Sequence, residues 1–167
     1  MSRILVTGMS GTGKSSALAE LGRRGYRVVD TDEPGWREYR EDVESSDEVH
    51  RGEWLWVEER ITALVESDHD PSLFVQGCVR NQGKFYDRFN AVVLLSAPAD
   101  VILDRIARRT TNDYGKNPVE RAMILADLAT IEPLLRASCT HELDASRPLD
   151  DIVADLIAIA SRPTTTR

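Results

Sequence analysis

Glycine, serine and lysine dominate residues 8–15, which read GMSGTGKS. The pattern G-x-x-x-x-G-K-[ST] is typical of a loop whose main-chain N–H groups wrap around phosphate. In such a loop the lysine bridges the β- and γ-phosphates and the next hydroxyl holds Mg²⁺, which gives these roles to Lys14 and Ser15. Ser16 is placed to touch the α-phosphate. The predicted nucleotide-binding residues of this loop are Gly8, Ser10, Gly11, Thr12, Gly13, Lys14, Ser15 and Ser16.

Two features narrow the choice of nucleotide and of metal ligand. No N-K-x-D motif, which reads guanine, occurs in the chain, so ATP is favoured over GTP. The third predicted strand ends in Gln76, where larger ATPases with this loop usually have an acidic residue. The Mg²⁺ carboxylate is therefore predicted elsewhere in the chain.

Asp30 and Asp32 are the candidates for that carboxylate, at the end of the second predicted strand. Their spacing on an extended segment directs both side chains to the same side. The carboxyl ends of parallel strands meet at one edge, where ligands bind. The pair is thus predicted to stand at the same edge as the glycine loop and to supply the carboxylate for Mg²⁺. The alternative is a solvated acidic turn.

Two arginines are predicted to act on the transferred phosphoryl group. Arg105 and Arg109 are four residues apart in a predicted helix and would share one face. Guanidinium groups suit the negative charge of a phosphoryl group in transfer. The alternative is an exposed basic patch at a helix end. The polar stretch that follows predicts a lid at about 109–117 that closes over the triphosphate and excludes water.

Short apolar runs alternate with helical patterns along the chain, which predicts a parallel sheet covered on both faces, an α/β fold. The predicted strands are 3–7, 26–30, 72–77, 90–97 and 140–144. One predicted helix follows the glycine loop, and the other four cover 53–67, 98–109, 117–137 and 148–160. One domain is expected over residues 1–161, with a flexible tail at 162–167.

The helix predicted over 117–137 has the clearest signals at its start. Asn117 is a predicted N-cap, Pro118 is at the first helical position, and Glu120 has the spacing of a capping box. Pro133 is predicted to bend the last turn, because proline cannot donate the helical hydrogen bond.

Composition excludes several classes of protein. The formal net charge is −7, which argues against a nucleic-acid-binding surface. No apolar run approaches the roughly 20 residues that span a bilayer, and the N-terminus lacks the pattern of a signal peptide. Cys78 and Cys139 have no metal-binding spacing and are predicted to be reduced thiols. We expect a cytoplasmic protein without nucleic-acid or membrane partners, either a monomer or a weak homodimer.

These motifs resemble those of the small P-loop kinases, which include nucleoside monophosphate kinases and shikimate kinases. The resemblance implies a three-layer fold with a five-stranded parallel sheet in the order 2-3-1-4-5, helices on both faces and a small lid. VVDTD at 28–32 resembles the D-x-D of shikimate kinases. That likeness implies that Asp30 lies by Mg²⁺ and that Asp32 meets the acceptor hydroxyl as a catalytic group.

Three further segments carry the resemblance. Residues 105–109 resemble the R-x-x-x-R of lid-bearing monophosphate kinases, which implies catalytic roles for Arg105 and Arg109. IEPLLR at 131–136 resembles a segment with a carboxylate-binding arginine, here Arg136. ASRPLDD at 145–151 resembles the loop beside the adenine ring, which makes Arg147 the implied contact.

The chain departs from shikimate kinases where the acceptor would bind. The Gly-Gly-Gly run after strand three is reduced to Gly77. The acceptor-binding region is expected at about 33–60, with a contribution from 78–88. Candidate residues there are Trp36, Tyr39, Arg40, Trp54, Trp56, Arg80, Asn81, Gln82, Lys84 and Tyr86. The tryptophans either stack on a ring of the acceptor or pack beneath a flap.

The sequence thus predicts an ATP- and Mg²⁺-dependent transfer of phosphate to a small molecule, either a hydroxyl metabolite or a nucleoside monophosphate. Two alternatives stay open. One is a nucleotide-sensing protein that has kept the fold and lost the acceptor. The other is a phosphotransferase that modifies an antibiotic.

Overall fold

The computed structural model describes residues 1–41, 52–68 and 71–162. In chain order the elements are β1 (Arg3–Thr7), α1 (Lys14–Arg23), β2 (Arg27–Asp30), β3 (Arg37–Glu41), β4 (Gly52–Trp56), α2 (Glu58–Glu66), β5 (Leu73–Gln76), a 3₁₀ helix (Gln82–Arg88), β6 (Ala91–Ser96), α3 (Ala99–Arg108), α4 (Pro118–Thr130), α5 (Glu132–Ser138), β7 (His141–Asp144) and α6 (Leu149–Ala160). The predicted tail, apart from Arg162, lies outside the described residues, as do residues 42–51 of the predicted acceptor region.

Five of these strands form a parallel sheet in the spatial order β2-β5-β1-β6-β7. Counted along the chain among themselves, they give the order 2-3-1-4-5. The predicted fold class and strand order are confirmed. This order places β1, and the glycine loop that follows it, at the centre of the sheet.

The central strands are buried on both faces, as their continuous apolar sequences predict. Ile4 and Val6 of β1 pack with α1 and α6 on one face of the sheet. Leu5 packs with α2 and the 3₁₀ helix on the other face. Leu135 of α5 covers Leu94 of β6. Because side chains alternate along a strand, a single apolar run supplies both cores.

A two-stranded antiparallel sheet, β3 with β4, stands apart from the main sheet and was not predicted. The prediction of one helix over 53–67 is therefore wrong in its first part, since Gly52–Trp56 is a strand and the helix begins at Glu58. Pairing with Arg37–Glu41 satisfies the main chain of this segment. Leu55 and Trp56 are buried in the extended conformation.

The helix predicted over 117–137 is divided into α4 and α5. Ile131 separates the two, and Pro133 lies in the first turn of α5, where its missing N–H costs nothing. Asn117 caps α4 as predicted by accepting a hydrogen bond from Glu120 N at 2.9 Å. The Glu120 carboxylate accepts a hydrogen bond from the N–H of Gly115 in the preceding loop, at 2.7 Å. A capping box would instead have this carboxylate bind the N–H of Asn117.

The longest helix in the described ranges has 13 residues, and no helix there is both long and apolar enough to cross a bilayer.

Candidate active site

The glycine loop connects the end of β1 to the start of α1, at the carboxyl edge of the sheet. Gly8 has a φ of 146°, and a Cβ there would overlap the carbonyl oxygen of Leu95. Gly11 lies against Ile102 and Ile106 of α3. The loop is thus held between the central strands and α3, which fixes its path before any ligand binds.

The loop presents main-chain donors at the start of α1. Gly13, with a φ of 87°, precedes the first helical residue. Within the described part of the chain, no group accepts a hydrogen bond from the main-chain N–H of Gly11 or of Gly13. Unpaired N–H groups together with the helix dipole make such a loop a binding site for an anion. Ser16 is exposed on the first turn, beyond this group of donors.

Lys14 folds back across the loop. Its amine donates hydrogen bonds to the carbonyl oxygens of Gly8, at 2.7 Å, and Met9, at 3.0 Å. Burial lowers the pKa of the amine from its ordinary value of 10.5, although nearby Asp30 and Asp32 act in the opposite direction. Burial thus disfavours the charged amine, and an anionic phosphate in the loop would favour it again.

Asp30 lies beside the hydroxyl of Ser15, which donates to its Oδ2 at 3.3 Å. A cation that binds oxygen at about 2.0–2.1 Å in octahedral geometry has neighbouring ligand oxygens roughly 3 Å apart. The two oxygens therefore fit one Mg²⁺, with phosphate oxygens and water as further ligands. The structure brings together the two residues predicted for the metal.

Asp32 lies next to Asp30 and makes a different set of contacts. Its Oδ1 is 2.7 Å from Nη1 of Arg37, and its Oδ2 accepts from the side-chain amide of Gln76 at 3.2 Å. The same amide donates to Asp30 Oδ1. The side chain of Asp32 is nearly half exposed, so an acceptor can reach it.

The two predicted catalytic arginines separate in the structure. The helix α3 ends at Arg108, and Arg109 has an extended backbone with ψ of 146°, so the predicted shared helix face is wrong. The carbonyl oxygens of Asn112 and Tyr114 bind the Arg109 guanidinium at 3.1 and 2.7 Å, and they hold it 3.4 Å from Ser10 Oγ in the loop. Partial burial lowers the pKa of Arg109. Arg105 instead donates to Ala145 O at 2.6 Å.

Two residues that the resemblance implied are engaged with carboxylates. Arg147 pairs with Asp155 of α6 at 2.6 Å, and it follows Ala145, which Arg105 contacts. Arg136 pairs with Glu132 and Glu142, each at 2.9 Å. Arg136 and both glutamates line a cleft that none of the glycine-loop residues lines.

The hairpin β3–β4 divides the predicted acceptor residues between its two faces. The guanidinium of Arg37 lies 4.3 Å from the ring centroid of Trp54, whose ring meets that of Tyr39 edge to face. Trp54 is 44% exposed and Tyr39 is 48% exposed. Through Arg37 this aromatic face is continuous with Asp32.

The opposite face of the hairpin is charged. From this face Glu38, Arg40, Glu53 and Leu55 line a cleft of about 650 Å³. The remaining lining residues are Trp56, Val57, Glu58, Glu59, Arg80, Asn81, Gly83 and Lys84. Arg80 pairs there with Glu53, and Lys84 pairs with Glu58. Neither Asp30 nor Asp32 lines this cleft. Of the predicted acceptor residues, Tyr39 and Trp54 therefore lie on one surface, and Arg40, Arg80, Asn81 and Lys84 line another. Trp56 and Gln82 are buried, and Trp36 and Tyr86 pack against the core.

Sequence reasoning missed Arg37 and Thr31. The hydroxyl of Thr31 donates to Gln76 O at 2.7 Å and accepts from the indole N–H of Trp56 at 2.9 Å, which ties β2 to β5 and to the hairpin. Tyr39 and the two tryptophans Trp54 and Trp56, which are two positions apart, are a strand signal that could have revealed the hairpin, and with it Arg37.

Replacement of Gly8 by alanine is expected to destabilise the fold by several kcal/mol, because the new Cβ overlaps Leu95 O and a positive φ is strained for any residue with a Cβ. Gly13→Ala is the matched control, since its φ is also positive but no atom lies within 4 Å of the added Cβ. Urea unfolding measures both free energies. Equal losses would contradict the role of the Leu95 overlap.

Solved structures with this fold include several kinases. Shikimate kinase from Acinetobacter baumannii, solved with shikimate, superposes with a TM-score of 0.64 at 15% identity, over 95% of this chain and 92% of that one. A gluconokinase from Sinorhizobium meliloti 1021 gives 0.61 at 23% identity, over 98% and 93%. Deoxyadenosine kinase from M. mycoides, with bound dATP, gives 0.58 at 12%, over 95% and 98%.

At these identities the likeness concerns the fold, and the chain has the α/β fold of the small P-loop kinases. A sequence search of curated proteins found no match. The model of one protein family, described as AAA domain, matches residues 4–126, which include the glycine loop, the Asp30–Asp32 pair and Arg109. The chain belongs to this AAA domain family.

Proposed function

We propose that this protein is an ATP-dependent kinase that transfers the γ-phosphoryl group to a small-molecule acceptor. The observation that carries the proposal is the position of two carboxylates at the rim of the phosphate loop. Asp30 lies beside Ser15 on the nucleotide side, and Asp32 is exposed on the side of the hairpin. A protein that only senses nucleotide has no need of the second carboxylate.

In the proposed complex the loop N–H groups and Lys14 bind the β- and γ-phosphates. Ser15 and Asp30 hold Mg²⁺, directly or through water, and this ion supplies charge neutralisation for the phosphates. Arg109, already beside Ser10, neutralises the moving phosphoryl group. Arg105 holds the segment that contains Ala145 and Arg147 through its hydrogen bond to Ala145 O. We propose that Arg147 contacts the adenine.

A hydroxyl acceptor fits this site better than a phosphate, because Asp32 is an exposed carboxylate in reach of the solvent side. The hydroxyl oxygen attacks the γ-phosphorus, the bond to the β–γ bridging oxygen breaks, and ADP leaves. The hydroxyl proton passes to Asp32. We propose that the aromatic face of Tyr39 and Trp54 holds the acceptor, since Arg37 connects the ring of Trp54 to Asp32.

Release of ADP from ATP and Mg²⁺, with and without an acceptor, tests the proposal. Shikimate, gluconate, deoxyadenosine and the nucleoside monophosphates form the first panel, because kinases of this fold act on the first three. We expect at least one compound of the hydroxyl class to raise ADP release above the acceptor-free rate and to appear as a phosphorylated product. Calorimetry with ATP and Mg²⁺ is the control, and the absence of any heat of binding would contradict the proposal.

A further inference from the structure

Gln76 is the last residue of β5, the strand between β1 and β2. Its side chain is completely buried. The strand pairs with β1, which leads into the phosphate loop, and with β2, which ends at Asp30. An amide in this place therefore requires a physical explanation.

The amide nitrogen of Gln76 lies between the two carboxylates. It donates one hydrogen bond to Asp30 Oδ1 and one to Asp32 Oδ2, the latter at 3.2 Å. Carboxylates only accept hydrogen bonds, so the NH₂ end of the amide must face them. The two donors of one neutral group thereby join two groups of like charge that would otherwise repel each other.

These two bonds decide which carboxylate oxygens remain for other partners. Asp30 keeps Oδ2, which receives the bond from Ser15, and Asp32 keeps Oδ1, which faces Arg37. The Asp30 carboxylate is fixed further by the main-chain N–H of Asp32, at 2.8 Å from Oδ1. Each carboxylate is consequently turned toward a different neighbour.

The other end of the amide supports this explanation. The Oε1 atom of Gln76 is buried, and no group in the described ranges donates a hydrogen bond to it. An unsatisfied buried acceptor opposes folding. An apolar side chain would avoid the cost of this unsatisfied oxygen, and the hydrogen bonds that Gln76 makes through its side chain all come from the amide nitrogen. Gln76 therefore orients the two carboxylates.

We propose that Gln76 is a positioning residue that assigns the two carboxylates to different tasks, Asp30 to the metal–nucleotide complex and Asp32 to the acceptor. This inference rests on the proposed function and deepens it. Gln76 itself touches neither the substrate nor the metal. It acts through Asp30, and this predicts that its removal has no further effect once Asp30 is gone.

The test uses Mn²⁺ as the metal probe and ADP as the nucleotide. Electron paramagnetic resonance measures Mn²⁺ affinity in the presence of ADP, and calorimetry measures ADP affinity in EDTA. Gln76→Met is expected to weaken Mn²⁺ binding by about tenfold and to leave ADP binding in EDTA within about twofold. Ser2→Ala is the control, because Ser2 is also buried and its hydroxyl donates to Ala160 O at the amino end of β1. Equal effects of the two substitutions overturn the proposal.

A double-mutant cycle distinguishes positioning from general disturbance. In the Asp30→Ala background, Gln76→Met should change Mn²⁺ affinity less than twofold, because the group through which it acts is absent. A full tenfold loss in that background overturns the proposal. If the wild-type protein does not bind ADP and does not bind Mn²⁺ in the presence of ADP, the proposed function itself fails. This outcome differs from the two outcomes that overturn only the role of Gln76.

A second measurement needs no change at Gln76, in case Gln76→Met does not fold. The side-chain amide protons of Gln76 in the wild-type protein can be followed by NMR. They should exchange slowly with solvent and shift when Mg²⁺ is added to the ADP complex, and Asp30→Asn should abolish the shift. The proposal is overturned if the chemical shifts of these protons do not change on addition of Mg²⁺, or if they change equally in Asp30→Asn.

Discussion

Lys14→Ala is expected to reduce phosphoryl transfer by roughly 10²- to 10³-fold, the scale for removal of one donor that stabilises charge in a transition state. The Lys14 amine is the one ammonium group within the loop, and Gly8 and Met9 hold it there. Its contacts in the ligand-free loop are to carbonyl oxygens only, so the fold does not depend on an ion pair. Steady-state ADP release measures the effect, and Arg88→Ala, which removes an exposed cation paired with Glu66, is the control. Turnover like that of the wild type would refute the role of Lys14.

The same side chain makes a prediction about stability. Burial lowers the pKa of Lys14, so the folded protein binds fewer protons than the unfolded chain between that lowered pKa and 10.5. Below this range the charged amine carries the full burial penalty. Lys14→Met removes the penalty, and the variant should be more stable than the wild type at neutral pH. Its advantage should shrink as the pH rises toward 10.5. Urea unfolding at pH 7 and pH 10 measures both differences.

Asp32→Asn is expected to lower activity with a hydroxyl acceptor by about 10²- to 10⁴-fold, the range for loss of a general base. A nucleoside monophosphate needs no base, so any transfer to it should fall far less. The substitution keeps an oxygen for Arg37 and preserves the volume of the side chain, which separates the loss of a base from a loss of structure. The ratio of kcat values for the two acceptor classes is the readout. Asp150→Asn, at an exposed aspartate paired with Arg24, is the control. Equal losses with both acceptor classes would remove the base from the mechanism.

Local motifs were the part of the site that the sequence predicted well. The loop from Gly8 to Ser15 depends on neighbouring residues, because glycine conformations and helix-end donors are set within a few positions. The parallel sheet followed from the apolar runs, and the order of its strands followed from the resemblance to P-loop kinases. Asp30 and Ser15 met because parallel strands bring their carboxyl ends to one edge.

The hairpin and the Arg109 contacts were not predictable in the same way. The segment at 53–67 shows helical spacing, and pairing with Arg37–Glu41, across residues 42–51, makes its first part a strand. The position of the Arg109 guanidinium depends on the carbonyl oxygens of Asn112 and Tyr114, which lie beyond the end of α3. Both outcomes are set by contacts between segments, which spacing along the chain does not encode.

The division of the hairpin into two faces has a practical consequence for inhibitor discovery. The cleft of about 650 Å³ is lined mainly by charged residues, and neither Asp30 nor Asp32 lines it. A virtual screen directed at that cleft would select compounds that do not contact Asp30 or Asp32. A better starting library would contain fragments with a flat ring that packs on the exposed ring of Trp54. Each fragment should also carry a polar group that extends past the guanidinium of Arg37 to Asp32.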